Sequence, residues 1–270
     1  LGINHIDTAN RYQGGRSEEV LGVAMRGRRE RFVVASKFTM PVGDGPNDKG
    51  ASRYHMMNGV ESSLRRLQTD HIDLYYVHRW DPLTPLEETL RALDDLVRMG
   101  KIRYVGVSTF TSWQLAKANL LSEVRGWTPV VAIQSEYNLL RREPERDVLP
   151  YCVAHQVGFV PYYPLAGGYL TGKYRRGEPA PPGSRGETVE MVQGFMNDAF
   201  YDKIEGLEAL AYERGRGLNE LAQAWLLAQP QVCSVISGAT KLKQVLSNAR
   251  AGDWALTSEE EAGIRAIVTT

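Results

Sequence analysis

Seven short apolar runs alternate with amphipathic stretches from one end of this chain to the other, and no other feature narrows its fold as much. The runs are Ile3–Asp7, Phe32–Lys37, Ile72–His78, Ile102–Ser108, Val130–Gln134, Gly158–Tyr162 and Val232–Ser237. They are continuous rather than alternating, as parallel strands covered on both faces require. The stretches between them read as helices with legible ends. Ser17 precedes the acids Glu18 and Glu19, and Val20, Val23 and Ala24 make an apolar stripe. Thr84-Pro85-Leu86-Glu87 has the form of a capping box with Pro at the first helical position. Leu86, Leu90, Leu93 and Val97 then share a face, and Gly100 closes the helix. Leu218, Leu221, Ala222 and Trp225 form another stripe, Leu242, Val245, Leu246 and Ala249 the next, and Thr257 to Glu260 is a second capping box. A closed barrel of this kind has eight strand–helix units. The expectation is an α/β fold, a (β/α)8 TIM barrel whose first strand and helix lie upstream of Leu1. A single barrel domain would span residues 1–270, incomplete at its N-terminus.

Composition excludes several functions. Lys plus Arg and Asp plus Glu balance at 32 each, so no net field favours nucleic acid or an anionic membrane. No apolar stretch approaches the roughly 20 residues of a transmembrane helix, and no signal peptide is visible. Cys152 and Cys233 both lie among apolar neighbours without metal-ligand spacing. They read as buried thiols outside any disulfide, in a reducing, cytoplasmic setting. The Gly- and Pro-rich stretch from Lys173 to Gly194 reads as one long loop, of a size usually found in functional lids or disordered segments.

Four ionisable side chains sit at or just beyond the ends of three runs: Asp7, Tyr12, Lys37 and His78. The carboxyl ends of barrel strands are where such folds keep their chemistry. Tyr is a poor acid near neutral pH, and a nearby ammonium makes it a better one by stabilising the phenolate. Lys37 is the candidate ammonium, Asp7 the group that holds its charge, and His78 a hydrogen-bond donor that fixes a substrate oxygen. Together they suit proton delivery from Tyr12 to a carbonyl while hydride comes from elsewhere. No side chain donates hydride, so a nicotinamide is implied. Each residue has a plainer reading: a turn acid, a surface Lys, a packing Tyr, a structural His. His5, His55, His71 and His155 keep that structural reading. There is no G-x-G-x-x-G after a strand, no P-loop and no His/Cys cluster, so a Rossmann site, a P-loop and a metal are all unsupported.

The segment Gly2-Ile3-Asn4-His5-Ile6-Asp7-Thr8-Ala9-Asn10-Arg11-Tyr12 resembles the first signature of the aldo-keto reductases. Gly106-Val107-Ser108, Gln134-Ser135-Glu136-Tyr137-Asn138, Tyr162 to Gly168, Gly172-Lys173-Tyr174 and Ile236 to Thr240 resemble further blocks of that family, in order along the chain. The likeness is greatest to a bacterial branch that also resembles potassium-channel β-subunits. The resemblance implies an NADP(H)-dependent reductase of aldehydes or ketones, with Asp7, Tyr12, Lys37 and His78 as the tetrad. It implies that Ser108, Thr109 and Gln134 meet the nicotinamide carboxamide and that Tyr162 stacks on the ring. Pro164, Leu165, Ala166, Gly167, Lys173 and Arg185 would surround the pyrophosphate. Gly238, Thr240, Gln244 and Asn248 would take the adenosine end, where a helix N-terminus offers N–H groups.

Three positions depart from the family pattern. Thr109 stands where Asn is common, Tyr163 where a small Ser is usual, and Ser247 where Glu often lies near the adenine. Lys241, Lys243 and Arg250 are within reach of a 2′-phosphate, which tilts the cofactor towards NADP(H) and leaves NAD(H) open. Arg11, Tyr54, Arg79 and Trp80 are candidate substrate-pocket walls, since they flank the tetrad or occupy an adjacent loop. Two other functions compete: a nicotinamide-binding regulatory subunit with little turnover, and a barrel lyase using Lys37 as a Schiff base. The expected partner is a small-molecule carbonyl substrate, with neither nucleic acid nor membrane, and a homo-oligomer is compatible with the resemblance.

Overall fold

Strands with apolar side chains on both faces form only where both faces are covered, and six of the seven runs form strands. The computed structural model describes residues 1–269. The strands are β1 (His5–Asp7), β2 (Val33–Phe38), β3 (Ile72–Val77), β4 (Ile102–Ser108), β5 (Val130–Glu136) and β6 (Gly158–Tyr162). They form one sheet in sequence order, and the pairings from β1 to β5 are all parallel. Helices α1 (Arg16–Ala24), α2 (Arg53–Leu67), α3 (Leu86–Arg98), α4 (Ser112–Arg125) and α5 (Val148–His155) follow β1 to β5 in turn. Beyond β6 come α6 (Arg185–Thr188), α7 (Glu190–Gln193), α8 (Asp198–Glu213), α9 (Leu218–Leu227), α10 (Leu242–Ala251) and α11 (Ser258–Thr269).

The chain divides into two compact units. One comprises Asn4–Ser135 and Arg146–Phe159. Within it the Asp7 carboxylate on β1 accepts a 2.6 Å hydrogen bond from Gln134 Nε2 on β5. Four flat strand spacings would put those strands about 19 Å apart. The sheet must therefore curl, so that inward side chains of the first and fifth strands meet. Its outer face packs on α1 and α2, with Phe38 stacked on Tyr75 at 5.1 Å and Met56 and Val60 fully buried. A buried polar link crosses the same layer. Glu18 of α1, with no exposed surface, accepts from Ser36 of β2 at 2.5 Å and from Arg66 of α2 at 2.7 Å. Gly22 lets α1 lie directly on the α2 backbone, because a Cβ there would stand 2.5 Å from the Arg66 carbonyl oxygen.

The other unit comprises Leu1–Ile3, Glu136–Glu145 and Val160–Thr270. Its core is aromatic: Tyr169 lies against Tyr174, Phe195 and Tyr201 at 5.6, 5.6 and 6.0 Å, and Tyr137 against Trp225 at 5.2 Å. The stretch from Lys173 to Gly194 is not one open loop. It contains α6 and α7, and the Tyr174 hydroxyl accepts from Gly186 N at 3.0 Å. Arg176 ties the stretch to α8 through Asp198 (2.7 Å), Asp202 (2.5 Å) and Glu205 (3.2 Å).

Three expectations are corrected. Val232–Ser237 is not a regular strand: Val232 makes an isolated bridge and the rest is irregular. Its contact with β6 is a long 3.4 Å bond from Ile236 N to the Pro161 carbonyl. The segment's apolar side chains are only half-buried, so it lacks the two-sided cover that stabilises a parallel strand. Cys233 lies in this segment and is exposed rather than buried, whereas Cys152 is buried, and neither forms a disulfide. Thr84 does not cap α3: Pro85 takes the cap position, one residue further on, and the Thr84 hydroxyl donates to Asp81 at 2.7 Å.

Candidate active site

The three strand ends deliver their side chains to one place. Lys37, near the end of β2, is 1% exposed, and its ammonium donates to the Asp7 carboxylate and to the Thr8 carbonyl, the latter at 2.9 Å. The second oxygen of Asp7 is the one held by Gln134. Burial holds the Lys37 ammonium below its ordinary range, and the Asp7 charge and hydrogen bond offset only part of that lowering. This pairing suppresses the neutral amine that Schiff-base chemistry needs.

Tyr12 reaches the ammonium through a tight turn. The short 3-10 segment Tyr12–Gly15 has positive φ at Gln13, Gly14 and Gly15, and Tyr12 N donates to the Ala9 carbonyl at 3.1 Å. The tyrosine ring is thereby held 5.2 Å from Lys37 Nζ, with 39% of the residue open to solvent. His78, just past β3, packs edge-on against it with ring centroids 5.8 Å apart. Burial pushes the His78 imidazolium down to about 3, aided by the charges of Lys37, Arg11 and Arg79. At neutral pH His78 is an uncharged donor with Nδ1 buried and unbonded to protein. It can orient an oxygen, and it has no proton to give up as an acid. The structure thus brings Asp7, Tyr12, Lys37 and His78 together, with Arg11 and Arg79 close enough to act on His78.

The remaining sequence candidates are placed as follows. Ser108 and Gln134 are register partners on β4 and β5, both buried. Thr109 has φ of 59°, and its hydroxyl turns back onto the Ser108 carbonyl at 2.7 Å. Trp80 packs against Phe110 at 5.1 Å and Trp113 at 5.7 Å, while Tyr54, in the first turn of α2, is 63% exposed. His5, beside Asp7 and Lys37 on β1, is lowered by burial. In the other unit Tyr162 and Tyr163 meet edge-on at 5.4 Å. Pro164, Leu165 and Ala166 lead into the Gly167–Gly168 turn, where φ is 67° and 106°. A Cβ on Gly168 would stand 3.2 Å from Lys173 Nζ, and one on Gly167 would stand 4.0 Å from Arg185 Cδ. The Lys173 ammonium thus borders bare backbone at Gly168, which suits a diphosphate, whereas the Gly167 side is closed by Val192 and Met191, with Arg185 near only through its aliphatic stem. Gly238 has open space around it. At the start of α10 the expected N–H groups are already met: Gln244 Oε1 accepts from Thr240 N at 2.8 Å and Lys241 N at 3.0 Å. Asn248 accepts from Gln223 at 3.0 Å, Ser247 from Asn219 at 2.7 Å, and Arg250 pairs with Glu220 at 3.5 Å.

Sequence reasoning missed Phe110, Trp113 and the Thr8 carbonyl. A backbone acceptor leaves no trace in side-chain pattern. The two aromatic residues were visible just after β4, but only their contact with Trp80 ties them to the loop beyond His78.

A curled parallel sheet with its ionisable groups at the strand ends is the layout of α/β-barrel proteins. Residues 1–269 match the model of the Aldo/keto reductase family. The chain is 39% identical over 276 residues to a probable voltage-gated potassium channel subunit beta of Oryza sativa subsp. japonica, covering 99% of this chain and 84% of that one. It is 35% identical over 270 residues to aldo-keto reductase YhdN of Bacillus subtilis (99% and 80%). It is 33% identical over 272 residues to an aryl-alcohol dehydrogenase [NADP(+)] of Phanerodontia chrysosporium (96% and 71%). The chain belongs to the aldo/keto reductase family. Among its described residues no helix is long and apolar enough to cross a membrane.

Proposed function

We propose that this protein is an NADP(H)-dependent oxidoreductase that reduces aldehydes or ketones to alcohols, with Tyr12 as the proton donor. The observation that carries the reading is the buried Lys37 ammonium, paired with Asp7 and 5.2 Å from the Tyr12 ring. The bound nicotinamide would supply the hydride, which no side chain can. Tyr12 gives its proton to the carbonyl oxygen, and the Lys37 charge stabilises the phenolate left behind. Asp7 keeps that lysine charged inside the protein. His78, neutral at working pH, donates a hydrogen bond to the same oxygen and fixes its angle.

Ser108, Thr109 and Gln134 are the proposed carboxamide contacts, and Tyr162 the stacking ring. Pro164, Leu165, Ala166, Gly167, Lys173 and Arg185 are assigned to the diphosphate, supported by the bare backbone at Gly168 and the Lys173 ammonium beside it. Gly238, Thr240, Gln244 and Asn248 are assigned to the adenosine end, where Gln244 would have to yield the N–H groups it now caps. NADP(H) is preferred because one relative's name carries NADP(+). Lys241 and Lys243 are the cations for a 2′-phosphate, since Arg250 is drawn to Glu220. Arg11, Arg79, Trp80 and Tyr54 are the proposed substrate walls.

The test is Tyr12→Phe. Carbonyl reduction should fall about 100-fold or more, while NADPH fluorescence titration shows unchanged cofactor binding; near-normal turnover overturns the assignment. A second reading, a nicotinamide-binding regulatory subunit, is favoured by the channel-subunit name of the Oryza sativa relative. Oxidation of NADPH by the purified protein with a panel of aldehydes decides between them.

A further inference from the structure

We infer that Tyr76 is a positioning residue for Lys37: its ring is the second aromatic wall against the buried ammonium, and Gly106 leaves the space that ring fills. The inference rests on the reading in which Lys37 assists Tyr12.

The placement follows from register. Lys37 pairs with Tyr76, Tyr76 with Gly106, and Gly106 with Ala132, across four neighbouring parallel strands. Aligned residues in a sheet point to the same face, so Tyr76 stands on the side where Lys37 meets Asp7. Tyr76 has no exposed surface. A Cβ on Gly106 would stand 2.5 Å from Cδ1 of its ring, so the ring fills the space over that glycine and no larger residue fits there. Lys37 Nζ is 6.0 Å from the centroid of Tyr76 and 5.2 Å from that of Tyr12.

The ammonium needs such a wall. It carries three N–H groups, and two of them are accepted by Asp7 and the Thr8 carbonyl. The groups around it are Asp7 and His5 from β1, Tyr12 from the turn, and Tyr76 and His78 from β3. Both histidines are held towards the neutral form by burial. Asp7 is thus the one carboxylate acting on the lysine among the described residues. An aromatic face offers a cation further negative potential, and the attraction grows when water is absent. Aliphatic side chains of equal volume would exclude water equally and offer none.

The test follows Lys37 itself, in cofactor-free protein, by 13Cε NMR of labelled lysine, with the signal assigned by difference against Lys37→Met. The variants are Tyr76→Phe, Tyr76→trifluorophenylalanine and Tyr76→Leu. Tyr76→Phe should titrate with the wild type, because the ring face is kept. Fluorination keeps the ring's shape and drains its face, so it tests the claim even if Tyr76→Leu fails to fold. It should move the Lys37 midpoint down by about half a pH unit or more, with Tyr76→Leu moving at least as far. In carbonyl reduction the same series should lower kcat in the same order and leave KM unchanged. Coincident midpoints across the series overturn the inference. So does a Tyr76→Phe midpoint as low as that of Tyr76→Leu, which would assign the effect to the hydroxyl. So does a loss carried by KM. The midpoints need no turnover, so they stand or fall separately from the reductase reading, which Tyr12→Phe tests.

Discussion

His78 is placed to donate a hydrogen bond and not a proton. Its folded-state value of about 3 lies below the ordinary histidine range, so the unfolded chain binds a proton that the folded chain refuses. The stabilising contribution is therefore complete above pH 6.5 or so and is lost as pH falls towards 3. Urea unfolding of wild type and His78→Gln should show the gap between them closing or reversing over that interval, with little change above it. Thr109 is the other residue whose local state predicts an outcome. A β-branched residue at φ of 59° is strained, and Asn tolerates that region far better. Thr109→Asn should raise stability by about 0.5–1 kcal/mol, read as a higher thermal midpoint. At this scale much of the site was legible. Asp7, Lys37 and His78 each end an apolar run, where an ionisable group stands out against its apolar neighbours. Tyr76 was not legible: within a strand apolar on both faces, Tyr75 and Tyr76 look alike, and only register tells which faces Lys37.

Helix ends were legible at one capping pattern and not at the other. Thr257 and Glu260 form the reciprocal pair read from sequence, with Thr257 N to Glu260 Oε2 at 2.6 Å and Glu260 N to Thr257 Oγ1 at 3.2 Å. Thr257→Ala should destabilise the protein by about 1 kcal/mol, seen in chemical denaturation. The same pattern at Thr84 gave no cap, because the helix starts one residue later, with Pro85 at the cap position, and the Thr84 hydroxyl donates to the Asp81 carboxylate instead. Asp81 also accepts from Ala51 N at 2.8 Å, so it joins the loops after β2 and β3, a role no local pattern announces. The stretch from Lys173 to Gly194 looked open because Gly and Pro dominate it. Its order comes from Arg176, whose three acid partners lie on α8, more than 20 residues away. Arg176→Met should speed amide exchange over residues 173–184, measured by mass spectrometry, while α9 and α11 exchange as before; unchanged exchange would show the ion pairs to be ornamental.

The strand order β1 to β6 is the one a barrel requires, each parallel strand beside the next; the alternation of runs alone also fits doubly wound sheets with other orders. The exception among the runs, Val232–Ser237, has the composition of a strand without the partners that make one, and composition cannot count partners. What binds the curled sheet into a unit is Asp7, which joins β1 to β2 through Lys37 and to β5 through Gln134. Asp7→Asn leaves a buried ammonium without its counter-charge and should lower global stability by about 3–5 kcal/mol, seen as a lower denaturant midpoint with an unchanged slope. The alignment of Lys37, Tyr76, Gly106 and Ala132 has one more consequence. Because two tyrosines adjoin in β3, a slip of that strand by one place would still seat a phenol beneath the lysine, disguising the error locally. It would also turn His78 outward towards the helices. Molecules slipped in this way would keep the Asp7–Lys37 pair and yet be unable to orient an incoming oxygen.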